Sequence, residues 1–198
     1  NQVIAAGGYA RYADTTWRAS WGLPFRLVSD LEVENYKTLT IEPGVEVEVG
    51  EYELRIGDYN DGNPPGYLVA DGVSFLGGSG YIMLWGGSVD LTDCEILTAH
   101  TGLRIVGNSS NAQAKNCSFV GQSNYGINNT GSSVVDARWC WWGHRTGPSG
   151  AGSGQGVAVS ENVMFVPWLK EGPDAGTSTL TGTVVDRDTW EPLSGAHI

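Results

Sequence analysis

Three cysteines, Cys94, Cys117 and Cys140, recur at a constant interval of 23 residues. A fixed period in the twenties marks a solenoid, in which each repeat is one coil that buries its apolar side only against its neighbours. The flanking residues keep the same phase. Asp93-Cys94-Glu95-Ile96, Asn116-Cys117-Ser118-Phe119 and Trp139-Cys140-Trp141-Trp142 align, and Gly72-Val73-Ser74-Phe75 joins them one coil earlier at a spacing of 21. In each window the first and third residues of the pairs Val73/Phe75, Cys94/Ile96, Cys117/Phe119 and Cys140/Trp142 point one way and the residue between them the other. This is the period of two expected of a strand with one buried face.

A second, weaker series opens each coil: Tyr81-Ile82-Met83-Leu84, Gly102-Leu103-Arg104-Ile105 and Tyr125-Gly126-Ile127-Asn128. Polar corners separate the series, among them Gly86-Gly87-Ser88 and Asn129-Thr130-Gly131-Ser132-Ser133. Glycine reaches 29 of 198 residues without a strict three-residue period, which suits many tight corners between short strands. A coil of this length holds three short strands and three turns, and stacked coils lie about 4.8 Å apart. The predicted fold is all-β: a right-handed parallel β-helix with capped ends and a short C-terminal β-strand extension. Residues 1–170 form the helix, with an entry cap over about 1–50 and a closing segment over about 141–170. A linker covers 171–178 and an incomplete strand pair 179–198.

The period also assigns the cysteines. At equal positions in successive coils they stack inside as a structural ladder of Cys94, Cys117 and Cys140, where a small, weakly polar side chain is acceptable. Stacked Cα atoms lie within disulfide reach, but three cysteines cannot all pair, so a free buried thiol ladder is the expectation. No CxxC pair occurs, which disfavours zinc.

Charge narrows the partners. The chain carries 22 acidic against 11 basic residues, a net charge of −11, which repels nucleic acid and anionic membrane surfaces. No run of about 18 apolar residues is present, so membrane insertion is not expected. We read the chain as secreted or displayed at the cell surface, with its signal peptide already removed.

Two strings carry a family resemblance. Thr16-Trp17, Pro24-Phe25 and Leu39-Thr40-Ile41-Glu42-Pro43-Gly44-Val45 resemble the opening of secreted bacterial right-handed parallel β-helix repeat proteins. Trp141-Trp142-Gly143, Thr146-Gly147-Pro148 and Pro167-Trp168 resemble the closing segment of the same group, with Cys140 where that group usually has asparagine. The resemblance spans about residues 14–170 and implies the fold; fold alone does not imply function. Residues 180–198, from Leu180-Thr181-Gly182-Thr183-Val184-Val185-Asp186 to Pro192-Leu193-Ser194-Gly195-Ala196, resemble the start of a carboxypeptidase regulatory-like β-sandwich. About 20 residues cannot bury a core alone.

That orphan pair sets the leading functional expectation: a non-enzymatic extracellular structural protein that self-associates end to end into a filament or surface assembly. Leu180, Thr183, Val184, Val185, Trp190, Leu193 and Ile198 would supply the contact by strand addition, with a second copy of the chain as partner. The alternative is a carbohydrate-binding or adhesive surface module whose partner is a cell-surface polysaccharide. Trp141, Trp85, Tyr59 and Tyr67 are its candidates for stacking on sugar rings. A polysaccharide lyase or glycoside hydrolase is the third reading. It needs converging carboxylates, and Asp90, Asp93, Glu95 and Asp136 do not form a repeating acidic ladder. No cofactor is expected. Asp58, Asn60 and Asp61 resemble a calcium loop only in composition, lacking the late bidentate glutamate.

Overall fold

The computed structural model describes residues 2–57, 64–107 and 111–173. It is a parallel β-solenoid of about five coils, whose strands stack in three ladders. The first ladder contains β3 (Phe25–Val33), β5 (Glu46–Gly50), β8 (Ser74–Gly77), β11 (Glu95–Thr98) and β14 (Ser118–Phe119). The second contains the far end of β3, then β6 (Glu53–Ile56), β9 (Tyr81–Trp85), β12 (Thr101–Val106), β15 (Tyr125–Asn129), β18 (Gly156–Val159) and β17 (Pro148–Gly150). The third runs through β2 (Thr15–Trp17), β4 (Thr38–Ile41), β7 (Tyr67–Asp71), β10 (Ser88–Thr92), β13 (Asn111–Lys115), β16 (Val135–Asp136) and β19 (Val163–Met164). β1 (Ile4–Ala10) pairs in parallel with β3.

Alternation explains the strands. β5 buries Val47 and Val49 and turns Glu46 outward; β9 buries Ile82 and Leu84 between outward Tyr81, Met83 and Trp85. Inside the first ladder a column runs Phe25, Val47, Phe75, Ile96, Phe119 in register. Trp142 continues it, its ring stacked on Phe119 at 4.9 Å and 11°. At the other end Trp17 stacks on Phe25 at 4.3 Å and 7°. Aromatic rings therefore occupy both ends of a mostly aliphatic interior.

The segment expected as an entry cap is already solenoid. β1 to β5 lie within residues 4–50 and pair in parallel with later coils, because their alternation is as regular as that of the middle. Trp21, half exposed, leans on Phe25 at 5.6 Å and 37°, beside the stacked Trp17.

A second correction concerns register. Leu103 pairs with Ile82 and with Ile127, so the second ladder advances by 21 and then by 24 residues. The corner after β14 holds one residue more than the equivalent corner after β11, and the side chain of Gln122, buried there, donates to the carbonyl of Ile96 at 2.8 Å. Aligning Gly126 with Leu103, as the sequence strings do, misplaces the last strand by one residue, which exchanges inside for outside.

One corner repeats its backbone in every middle coil. Gly72, Asp93, Asn116 and Trp139 all take positive φ, at 58°, 52°, 53° and 61°. Each is followed by a buried residue, respectively Val73, Cys94, Cys117 and Cys140. The left-handed turn delivers the chain from the third ladder into the first. Glycine, aspartate and asparagine take this conformation at low cost, whereas other residues lose about 1–2 kcal/mol.

Candidate functional site

The outward faces carry the polar chemistry. In the second ladder Glu32, Arg55, Met83, Arg104 and Asn128 stand in one column. Arg55 bridges Asp30 at 2.8 Å, Glu32 at 2.9 Å and Glu53 at 2.7 Å, which spreads one cation over three carboxylates on two coils. Those carboxylates hold the guanidinium above its ordinary range against the opposing cost of its partial burial. Arg55 is thus committed to the coil-to-coil contact.

Arg104, two coils further on, has different surroundings. Its Nη1 donates to the Tyr81 hydroxyl at 3.1 Å, while its Nε is buried and has no hydrogen-bond partner among the described residues. Burial and the neighbouring Glu53 raise the Tyr81 phenol from its ordinary value, with Arg104 opposing, so the hydroxyl keeps its proton at neutral pH. Around the guanidinium Ser79, His100, Thr101, Asn124 and Asn128 complete the rim of an open depression of about 460 Å³. His100 lies at its edge with Nδ1 3.2 Å from the Thr101 hydroxyl. The lining offers a fixed cation, an imidazole, two amides and two aliphatic hydroxyls, a set suited to hydroxyl-rich or carboxylate-bearing ligands.

A second cluster surrounds the left-handed corner. Lys115, Asn116, Asp136, Arg138 and Trp139 line an open depression of about 300 Å³. Arg138 grips Asp136 through Nε at 2.9 Å and Nη2 at 2.8 Å. That pairing holds the Asp136 carboxyl below its ordinary value.

The residues singled out from the sequence are dispersed. Tyr67 lies on the third ladder, Trp85 on the second and Trp141 beside the first, bridged to Ser118. All three are half-buried. A Cβ on Gly172 would stand 3.0 Å from the Trp141 indole nitrogen, so the chain just after the closing segment lies against that ring. The three aromatics stand on three different ladders rather than in one row. Asp90 and Asp136 share a column but Gln113 separates them; Asp93 sits on the exposed corner; Glu95 accepts from Ser74 at 3.3 Å. Tyr59, the calcium candidates Asp58, Asn60 and Asp61, and the self-association residues Leu180, Thr183, Val184, Val185, Trp190, Leu193 and Ile198 lie outside the described residues. So does the strand pair of 179–198. Among the described residues, no group of three or more His, Cys, Asp or Glu side chains is placed to hold a metal ion, and no helix is long and apolar enough to cross a membrane.

Cys94, Cys117 and Cys140 are free and buried. Their thiols donate to main-chain oxygens: Cys94 to Thr92 at 3.2 Å, Cys117 to Lys115 at 3.3 Å and Cys140 to Ala114 at 3.1 Å. The Cys117 thiol and burial raise Cys94; burial and the Cys140 thiol raise Cys117. A thiol kept protonated and out of water is a poor nucleophile. Iodoacetamide at pH 8 is expected to leave the native protein unlabelled and to label all three cysteines in urea, counted by intact mass. Rapid native labelling of any one would place that thiol outside the ladder.

Searches against protein-family models, curated proteins and solved structures give no match for this chain. The fold assignment therefore rests on the ladders themselves, and the functional reading on the two depressions.

Proposed function

We propose that the protein is a non-enzymatic extracellular module that binds an acidic polysaccharide on the outer face of its second ladder. The observation that supports this reading is the Arg104 depression. On a chain of net charge −11 it presents a guanidinium that makes no ion pair among the described residues, surrounded by hydrogen-bonding side chains. A uronate carboxylate answers the guanidinium through charge-assisted hydrogen bonds, and the sugar hydroxyls answer Ser79, Asn124 and Asn128. A polymer lying along the solenoid axis meets one coil about every 4.8 Å, so neighbouring sugar units reach Tyr81, Arg104 and Asn128 in turn.

The test is affinity electrophoresis of the full chain through gels containing polygalacturonate or its fully methyl-esterified form. The free acid is expected to retard the protein and the ester to leave it free. Arg104→Met, which keeps the aliphatic stem, is expected to weaken retardation at least tenfold, an amount in keeping with the loss of a charge-assisted hydrogen bond. Equal retardation by acid and ester, or release of reducing ends from the polymer, would contradict the reading.

A further inference from the structure

The left-handed corner contains a residue that its backbone does not favour. Glycine, aspartate and asparagine occupy the position in three successive coils, and tryptophan in the fourth, at a φ of 61°. Packing does not account for the choice, because Trp139 is 52% exposed. Hydrogen bonding does not either: the Trp139 N–H donates to the carbonyl of Pro167 at 2.6 Å, a main-chain contact that any residue but proline could make. A position that breaks a local conformational rule without a gain in burial points to a ligand. The surroundings specify which. Arg138 is neutralised by Asp136, whereas exposed Lys115, lining the same depression, makes no ion pair among the described residues. The cluster therefore carries one positive charge beside an exposed indole.

We infer that Trp139 and Lys115 form a second binding site, for an anionic sugar residue. The indole stacks on the C–H face of the pyranose ring and the ammonium meets its carboxylate. Asn116, also on the rim, supplies an amide for ring hydroxyls. The site sits where the third ladder turns into the first, on a different side of the coil from Arg104, and does not rest on that depression. Single-stranded nucleic acid also uses stacking and cations, so it is the competing ligand that the experiment must separate.

The experiment measures thermal unfolding and affinity electrophoresis of wild type, Trp139→Asn, Lys115→Gln and Arg104→Met in polygalacturonate gels, with an oligo-dT mobility shift alongside. Asparagine suits the left-handed corner, so Trp139→Asn is expected to melt at or above the wild-type temperature and to lose at least tenfold in retardation. Lys115→Gln is expected to lose retardation without a change in melting. A Trp139→Asn variant that melts lower while retardation is unchanged would make Trp139 a packing residue and overturn the inference. So would a wild-type protein that polygalacturonate does not retard, or one that binds oligo-dT instead. Loss in Trp139→Asn with none in Arg104→Met would uphold this site and refute the other; the reverse pattern would refute this site alone.

Discussion

Trp142→Ala is expected to destabilise the protein by about 3–5 kcal/mol, the range for deleting a fully buried large aromatic side chain. Trp142 is fully buried and stacks on Phe119, extending the column of the first ladder. Removing the ring leaves Phe119 facing a cavity at the end of the column. Trp142→Phe separates shape from chemistry. The indole N–H of Trp142 is buried with no acceptor among the described residues, so phenylalanine discards a donor that contributes no hydrogen bond. We expect it to cost less than about 1.5 kcal/mol, as for a conservative apolar exchange. Urea denaturation followed by tryptophan-independent circular dichroism measures both. Equal losses in the two variants would mean that the ring is not held in a packed column.

Gly57→Ala is expected to cost about 3 kcal/mol, from a left-handed backbone and a steric clash acting together. Gly57 has a φ of 86°, and a Cβ there would stand 2.0 Å from the carbonyl oxygen of Trp85 in the next coil. Gly86→Ala provides the control. It has a φ of 77° but open space around its Cβ direction, so only the conformational penalty of about 1 kcal/mol applies. The difference between the two variants reports the close approach of one coil to the next. Identical losses would place Gly57 and Trp85 further apart than a stacked solenoid requires.

The fold was legible because its strongest signal is periodic. The 23-residue cysteine interval, with alternation at Val73/Phe75 and Cys94/Ile96, identifies inward residues on one ladder, and these are buried. The Arg104 depression was not legible, for a specific reason. Gln122 sits in a corner lengthened by one residue, so string alignment sets Asn128 opposite Ile105 rather than Arg104. With the correct register, Met83, Arg104 and Asn128 form an outward column, and the polar face becomes visible. Corner lengths are set by turn geometry, which apolar alternation does not report. Trp139 was legible in principle. It aligns with Gly72, Asp93 and Asn116, three residues that favour left-handed turns, yet alternation drew attention to Trp141 two positions on. The self-association reading depends on residues 179–198, outside the described part of the chain.

Acidic-polysaccharide binding on the second ladder is tested most directly by hydrogen exchange with and without polygalacturonate, read by mass spectrometry. Bound polymer should slow exchange in peptides covering 79–85, 100–106 and 124–129, and leave β4 and β7 of the third ladder, far from both depressions, unchanged. Unaltered exchange across those three segments at saturating polymer would contradict the account.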